Sequence, residues 1–530
     1  MRKGWQLIFL VWILAGWSIW PVLSHPAAAF RYGGDDGIIT WQINQTIQKI
    51  PNHLEDLFSG NIFYPDKYTG AFHMLLVPTA VMGYLPVKLT GNPAAAYNTG
   101  ETVAQFLTVT VIFLWFYELT GDWWAAFAGT EAMAFSQIRW YFQIDLHMWA
   151  MQWMLFSLWM VWRYTRNQKV WQLYAAGGFL GLQIWESIYQ AGWFWLAAVI
   201  LVYPKLRLFK KDLKHLAIIG AGILLFISPV ISVYWKIYKL YGFGGSIREA
   251  ANFAMSGNDL WGKFLSPGLY IAFLICGYLV VKSQITNHKL QTKIFKGESK
   301  RFIILAVAGL VLALGPVLKW HDQTVKIFGR WFLPLPYGII YYLIPGFSVL
   351  RSVHRFIWLT AFGMAGLISI WAAKIKSGRK WLVIGVLIPV VIAGGTGMPS
   401  MGRWPDVKDY PEVYKWLKLQ SGQVILEYPV YLPADDRLQR EAFRMVYSLW
   451  HGKKLIYGAS GYLPPERGKL IGEIANNYPD GILDRKLKEL GTNYVVVHKD
   501  ETTREKLAVF DEDKDLKKVW EDPKSVVYAL

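Results

Sequence analysis

The sequence predicts a polytopic α-helical membrane protein of about eleven transmembrane helices, followed by a C-terminal α/β domain. The 530 residues are 54% hydrophobic and include 28 Trp, and many apolar runs approach the roughly 20 residues that cross a bilayer as a helix. From residue 400 onward, short apolar strands alternate with helical stretches, as in a compact α/β domain. We therefore expect a transmembrane domain at 1–399 and an α/β domain at 400–530. The predicted tail strands are 423–428, 493–498 and 525–530, and the predicted tail helices are 409–419, 435–450 and 501–509.

The charge pattern determines the predicted topology. A net charge of +18 suits nucleic-acid binding, but basic residues of a membrane chain first set its orientation, so we expect no nucleic-acid partner. All basic connectors face the cytoplasm only if the short, proline-containing segments 73–89 and 335–347 lie in the outer interface without crossing. The connectors in question are 163–169, 204–215, 282–301 and 374–380.

This argument from the sides of the basic connectors, which we call charge parity, predicts a cell-membrane protein. Its N-terminus would be cytoplasmic and its C-terminal domain extracytoplasmic. The first outer loop covers 24–97 and holds interfacial helices. We interpret the first apolar run, 5–23, as a retained anchor, the alternative being a cleaved signal peptide. The predicted spans are 5–23, 98–118, 123–137, 145–162, 170–186, 188–203, 216–235, 267–281, 302–318, 356–373 and 381–397.

Acidic and basic residues from distant parts of the chain collect on the outer side in this topology. Ionisable groups at a bilayer margin are costly, so such a collection is by default a functional-site hypothesis. Each also has a structural explanation. The glycine-flanked pair Asp35–Asp36 suits a tight turn, Asp145 suits a helix cap, and Glu186 suits a partner for an Arg. The candidates are Asp35, Asp36, His73, Arg139, Asp145, His147, Glu186, Tyr189, Arg351, His354 and Arg355.

Five motifs follow one another along most of the chain, after a long first outer loop with an early acidic residue. They read 61-NIFYP-65, 119-LTGDWWAAFAGTEAMAFS-136, 147-HMWAMQW-153, 345-PGFSVLRSVHRF-356 and 460-SGYLPPE-466. In their order and spacing the chain resembles the C-type glycosyltransferase (GT-C) superfamily. Within it, the chain is most similar to a subgroup of bacterial and archaeal multi-pass proteins.

The resemblance implies a membrane glycosyltransferase. The donor would be a sugar on a polyprenyl phosphate that enters from the membrane lipids, and the acceptor an extracytoplasmic glycan, lipid or protein. An acid of the first outer loop would take the acceptor proton, with inversion at the anomeric carbon. Asp36 matches best because it directly precedes Gly37 and a helical run, and Asp35 is the reserve.

The resemblance also implies roles for the other charged residues. Arginines match phosphate oxygens with forked donors, and we expect four residues at the donor phosphate: Arg351, His354, Arg355 and Arg139. His73, Glu186 and Tyr189 would line the rest of the cavity, on the acceptor side. We expect Asp36, Asp145, His147, Arg351 and Arg355 to line one outward-facing cavity.

A metal site is an open question at the sequence level. Some superfamily members bind a divalent cation through a second acidic motif, often Asp-x-Asp, whereas this chain has Asp145 and His147 in 145-DLH-147. A carboxylate and an imidazole can hold Mg²⁺ or Mn²⁺ less ideally. The single cysteine, Cys276, excludes a Cys-based metal site.

Two other functional classes remain at this level. Many spans and outward charges also suit a transporter or flippase of lipid-linked sugars, and the tail also suits a non-catalytic cell-envelope assembly protein. The segment 457–468, rich in Gly, Pro and Tyr, is either a connecting loop over the membrane domain or an acceptor-binding loop.

Topology reporters test the charge-parity argument. Fusions at Gly297 and at Lys524 should report opposite sides of the membrane, because the first lies within the basic connector 282–301, expected to be cytoplasmic, and the second lies in the tail, expected to be extracytoplasmic. Reports from the same side at both positions would contradict the topology.

Overall fold

The computed structural model describes residues 2–530 except 34, 144, 261–262, 266, 287–292, 345–346, 376–384, 386–400 and 434. The predicted span near 381–397 lies almost wholly outside these described residues. Elsewhere, helices dominate the chain up to residue 375, and a mixed sheet with flanking helices occupies 401–530.

The first part is an apolar helical bundle. Among the described residues, three helical segments are long and apolar enough to cross a membrane: 94–120, 205–241 and 353–374. Other apolar helices are shorter, so the count of about eleven spans stays a prediction. The helices are α1 (Arg2–Ser18), α2 (Trp20–Ser24), α3 (Asp36–Lys49), α4 (Val77–Thr90), α5 (Ala94–Thr120), α6 (Trp123–Ala134), α7 (Gln137–Tyr141), α8 (Leu146–Trp149), α9 (Gln152–Asn167), α10 (Trp171–Glu186), α11 (Ile188–Val202), α12 (Leu213–Tyr241), α13 (Ile247–Asn252), α14 (Pro267–Thr286), α15 (Lys293–Ala313), α16 (Pro336–Leu343) and α17 (Ile357–Lys374).

The outer connections add short elements to this bundle. Strand β1 (Ala29–Arg31) precedes α3, and two small hairpins lie between α15 and α16. The hairpin strands are β2 (Lys319–Trp320), β3 (Gln323–Thr324), β4 (Lys326–Ile327) and β5 (Trp331–Phe332). A 3₁₀ turn, Val353–Phe356, leads directly into α17.

Helix α4 is the segment that charge parity predicts not to cross. It has 14 residues and contains Pro86, so at 1.5 Å per residue it is about 21 Å long. The hydrocarbon core is about 30 Å thick. The other such segment forms only the eight-residue α16. Both lengths suit interfacial helices.

The predicted span 145–162 differs from the structure, which divides it into α8 and α9 at Ala150–Met151. The cause is a side chain from α10. The Gln183 amide donates to the Ala150 carbonyl (3.1 Å), and its oxygen accepts from the Met154 N–H (2.9 Å). These bonds satisfy backbone groups that the break frees, as a break at membrane depth requires.

The tail forms a five-stranded mixed sheet in the order β10–β11–β9–β7–β8. Strand β7 runs parallel to β8 and β9, and β11 runs antiparallel to β9 and β10. The three predicted strands and three predicted helices coincide with observed elements. The strands are β6 (Met401–Arg403), β7 (Val424–Tyr428), β8 (Lys454–Leu455), β9 (Tyr494–His498), β10 (Lys517–Glu521) and β11 (Ser525–Ala529), and the helices are Glu412–Leu419, Leu438–His451, Pro465–Asn477, Gly481–Glu489 and Arg504–Glu512.

The first outer loop and the tail pack directly on each other. Strand β1 pairs antiparallel with β6, and α3 crosses the tail helix Leu438–His451. At the crossing, a Cβ on Gly37 would lie 2.8 Å from the Ala442 Cβ. Gly37 therefore permits the close approach, and a side chain there would push the two helices apart.

The NIFYP motif attaches the loop to the edge of the tail sheet. The Leu455 N–H donates to the Asn61 carbonyl (2.7 Å), and the Tyr64 N–H donates to the Leu455 carbonyl (3.0 Å). The Asn61 amide also donates to the Ser448 hydroxyl (2.8 Å). These bonds cover the exposed edge of β8, which would otherwise invite pairing with another chain.

A buried ion pair fixes β1 against the bundle. The Arg31 guanidinium donates two hydrogen bonds to the Glu101 carboxylate of α5, at 2.6 and 2.5 Å. Glu101 is fully buried and also accepts from the Gln143 amide at 2.8 Å. Three chain regions therefore meet at one charged pair.

Breaking this pair should destabilise the protein strongly. Glu101→Gln leaves the Arg31 charge buried without a counter-charge, which typically costs about 3–5 kcal/mol. The double variant Arg31→Met/Glu101→Met should recover most of that loss, because apolar side chains of similar length replace both charges. Tryptophan fluorescence during thermal unfolding in detergent measures the effect.

The matched control is Glu118→Gln, which removes the partner of the partly exposed Arg163 at 3.1 Å. Exposed pairs typically contribute less than about 1 kcal/mol, so this variant should unfold close to the wild type. Equal losses in Glu101→Gln and Glu118→Gln would contradict the structural role of the buried pair.

Candidate functional site

Polar side chains from separate chain regions meet at one end of the bundle, the end that the predicted topology places outside. One Asp35 carboxylate oxygen lies 3.9 Å from His73 Nε2, and the His73 and His147 rings are 5.6 Å apart. Arg355 Nη2 lies 3.4 Å from the Asp145 carboxylate. We call these five residues the outer cluster.

Tyr189 joins the outer cluster through its ring. The Arg355 guanidinium lies 5.0 Å from the centre of that ring, a cation–π distance, and the His147 ring is 6.3 Å away. Tyr189 follows the break between α10 and α11, so its position depends on how those two helices end and begin.

Local breaks in helices position the outer cluster. Asp35 immediately precedes α3. Asp145 precedes the four-residue α8, but its carboxylate makes no capping bond there and instead contacts Arg355. The amide of Gln190 donates to the His147 carbonyl. The short α8 therefore positions Asp145 and His147 in the outer cluster, where both side chains are largely buried.

Two imidazole nitrogens and one guanidinium nitrogen of the outer cluster remain available. Nδ1 of His73, Nδ1 of His147 and Nε of Arg355 are buried, and they have no hydrogen-bond partner among the described residues. Buried polar atoms normally have partners. Such atoms in one cluster are suited to contact a bound ligand.

Arg351 connects the outer cluster to the tail. Its Nη1 donates to the Gly461 carbonyl at 2.9 Å, and its guanidinium lies 4.9 Å from the Tyr462 ring. Tyr462 stacks in turn on Phe243 at 5.0 Å. The segment 457–468 thus lies next to Arg351, at the edge of the cluster.

Two residues predicted at the donor phosphate have other contacts. His354 Nδ1 lies 2.7 Å from the Phe253 carbonyl. Arg139 is buried, donates to the Gln105 side chain at 2.6 Å and lies over the Trp149 ring.

Glu186 is turned toward α4. Its carboxylate accepts from the Thr79 N–H (3.1 Å) and from the Thr79 hydroxyl. It therefore satisfies a backbone donor at the first turn of α4. The sequence analysis gave an Arg as the alternative partner of Glu186, and the structure gives Thr79.

The adjacent acids Asp35 and Asp36 occupy different environments. The Asp36 residue is 2% exposed and lines a cavity of about 10 Å³ with Arg31 and Tyr97, roughly enough for one water. Burial raises the pKa of Asp36 well above its usual range, against the opposing effects of Arg31 and Tyr97. The raised pKa favours the protonated, neutral form of Asp36 in this closed pocket.

Asp35 faces the outer cluster, with 46% of its side chain exposed. Burial opposes its ionisation, but the neighbouring His73 and the charges of Arg355 and Arg351 lower the pKa of Asp35 below its usual range. Of the two acids, Asp35 has the exposure and the ionised state that accepting a proton from a bound hydroxyl requires.

The residues at the predicted metal site fit a cation poorly. Asp145 is paired with the Arg355 guanidinium, whose positive charge opposes a dication at the same carboxylate. Within the described residues, neither Asp145 nor His147 belongs to a compact group of three His, Cys, Asp or Glu ligand atoms. The metal stays a prediction, and no step proposed below uses one.

The sequence reasoning missed Arg31, Tyr97 and Glu101, which surround Asp36. Glu101 offered a signal, because a lone carboxylate within an apolar helix normally has a buried partner. Arg31 and Tyr97 offered none, because each occurs in a context where aromatic and basic residues are common.

Two solved structures share this architecture. The whole chain aligns with arabinofuranosyltransferase AftD from Mycobacteria at 13% identity and a TM-score of 0.64, and it spans 40% of the length of AftD. Over 94% of its length it aligns with 69% of the archaeal oligosaccharyltransferase AglB from Archaeoglobus fulgidus, at 11% identity and a TM-score of 0.50. No family model matches the chain, and no curated protein matches it.

Both neighbours are named as glycosyltransferases, and the shared architecture confirms the fold that the resemblance from the sequence motifs implies. Identities this low establish a shared fold. They carry no information on the substrate.

Proposed function

We propose that this protein is an integral-membrane glycosyltransferase. It moves a sugar from a polyprenyl-phosphate donor to an acceptor on the outer side of the cell membrane. The observation that carries the proposal is the outer cluster, where an ionised acid, two imidazoles and an arginine meet at one end of a GT-C-fold bundle. An acid for the acceptor hydroxyl and cations for the leaving phosphate are the groups that this transfer needs.

The donor phosphate lies beside Arg355 in this proposal. Its guanidinium is held by Asp145 at 3.4 Å and retains an unpartnered Nε. Arg351, His73 and His147 surround the same space and supply further donors for phosphate oxygens. Positive charge there stabilises the lipid phosphate as the bond to the sugar breaks.

Asp35 is the general base in this proposal, and Asp36 positions it. The acceptor hydroxyl donates to the Asp35 carboxylate and loses its proton as its oxygen attacks the anomeric carbon. The bond from that carbon to the phosphate oxygen breaks, and the phosphate leaves on the opposite face with inverted configuration at the sugar. Asp36, buried beside Arg31, fixes the start of α3.

The structural neighbours support the donor class without establishing it. AftD is described as an arabinofuranosyltransferase, and one AglB structure contains dolichol-phosphate with an inhibitory peptide. A lipid phosphate therefore occurs on the same fold.

The two acids should respond differently to the same substitution. Asp35→Asn keeps size and most hydrogen bonding but removes proton acceptance, which typically costs about 10²–10⁴-fold in rate. Asp36→Asn replaces a buried neutral acid by an amide of similar size, so its effect on turnover should be smaller. Transfer is measured from a panel of synthetic polyprenyl-phosphate monosaccharides, with native membrane extract as the acceptor source.

The control for Asp35→Asn is Asp56→Asn, an exposed acid of the same outer loop, which should retain full turnover. If Asp36→Asn loses turnover and Asp35→Asn keeps full activity, the general base is Asp36 and not Asp35. Binding of donor without turnover by the wild type, across the whole panel, would favour a transporter.

Substitution of the arginines should weaken binding of the lipid phosphate. Arg355→Ala removes charge-assisted hydrogen bonds to phosphate, so we expect affinity for farnesyl phosphate to fall by about tenfold or more. Arg355→Lys should restore only part of it, because an ammonium cannot form the bidentate contact. Calorimetric titration with farnesyl phosphate in detergent measures the change.

Arg248→Ala serves as the matched control, since Arg248 is exposed in α13 and lies outside the outer cluster. Arg351→Ala should have an intermediate effect, because its guanidinium already donates to Gly461. Unchanged affinity in both Arg355→Ala and Arg351→Ala would mean that these arginines only anchor lipid headgroups.

A further inference from the structure

The tail contains a second group of polar residues that the proposed transfer does not use. Asp484 lies on the helix Gly481–Glu489, and Asp513 and Asp515 lie in the turn after the helix Arg504–Glu512. One carboxylate oxygen from each residue lies within 4.8 Å of the other two. Three like charges this close repel one another unless a cation or protons intervene.

Asp484 provides an independent observation. The residue is fully buried, and one of its oxygens accepts from the Tyr478 hydroxyl at 2.8 Å. Its other oxygen, Oδ2, is buried without a hydrogen-bond partner among the described residues. Leaving such an oxygen unsatisfied is costly, so a ligand bound beside Asp484 would stabilise it.

The charge balance agrees with a cation. Lys488 supplies one positive charge near Asp484, against three carboxylates. The group therefore carries net negative charge that a bound cation would neutralise.

We propose that Asp484, Asp513 and Asp515 bind a hard divalent cation, with Ca²⁺ as the expected ion. Oxygen ligands alone favour Ca²⁺ or Mg²⁺ over softer metals. A set that runs from a buried to an exposed carboxylate leaves positions for backbone carbonyls and water, which suits the irregular shell of Ca²⁺ better than the strict octahedron of Mg²⁺. The site would join the helix Gly481–Glu489 to the turn at 513–516.

Calcium titration of the purified full chain in lipid nanodiscs tests the proposal. We expect a dissociation constant of about 10⁻⁴–10⁻³ M, as in extracellular Ca²⁺ modules, and a higher melting temperature in CaCl₂ than in EDTA. MgCl₂ at the same concentration should raise the melting temperature less. If Ca²⁺ does not bind at CaCl₂ concentrations up to about 10⁻² M, roughly tenfold above this range, the proposal is overturned.

Substitutions distinguish a cation site from a merely structural cluster. Asp484→Asn keeps the acceptor for Tyr478 and removes the buried charge, so it should fold in EDTA and lose the CaCl₂ response. Asp513→Asn/Asp515→Asn should weaken Ca²⁺ binding at least about tenfold, since two of three charged ligands are gone. The control Asp406→Asn/Asp409→Asn makes the same charge change at exposed tail residues and should bind Ca²⁺ as the wild type does.

Ca²⁺ affinity equal to the wild type in both cluster variants would overturn the proposal. A large loss of melting temperature for Asp484→Asn in EDTA, with the CaCl₂ response retained, would equally overturn it and leave a structural hydrogen bond to Tyr478. None of these measurements depends on transferase activity, so this site and the proposed function can fail separately.

Discussion

The bidentate pair between Arg31 and Glu101 is the interaction on which the outer end of this molecule depends. A buried charge without a partner costs several kcal/mol, so β1 has one low-energy position, with Arg31 directed into the bundle. From there the chain reaches α3 within a few residues, and the two acids between them have little freedom. The same carboxylate accepts from Gln143, which links the segment before α8 to the loop.

This constraint explains why two adjacent acids do not share one role. Successive residues at a helix start point about 100° apart around the axis. With Asp36 beside Arg31 and Tyr97, Asp35 is directed to the other side, toward His73. The pair thus combines a neutral, buried acid at the start of α3 with an ionised acid in the outer cluster. Gly37 completes the arrangement, because only the absence of a Cβ lets Ala442 approach so closely.

The elements with strong periodicity were predictable from sequence. Alternating apolar residues gave the tail strands, and the 14-residue α4 is short enough for the interfacial helix that charge parity predicts. The outer cluster followed partly, because Asp145, His147 and Arg355 all fall on the outer side in that topology. The break between α8 and α9 did not follow, since it depends on Gln183 from a different helix. Likewise, the difference between Asp35 and Asp36 depends on an ion pair whose partners are 70 residues apart, a distance at which composition and periodicity say nothing.

The pairing of β1 with β6 has a consequence for biosynthesis. Tyr32, which follows β1, and Arg403, the last residue of β6, are separated by 371 residues. At ribosomal rates of about 5–20 residues per second, β1 is synthesised about 20–75 s before its partner strand. During that time the loop lacks β6, Ala442 and the β8 edge against which α3 and the NIFYP motif pack. A chain truncated before residue 401 is therefore inserted in the membrane with an unfinished outer surface, which gives chaperones and proteases a means to distinguish it from the full-length protein.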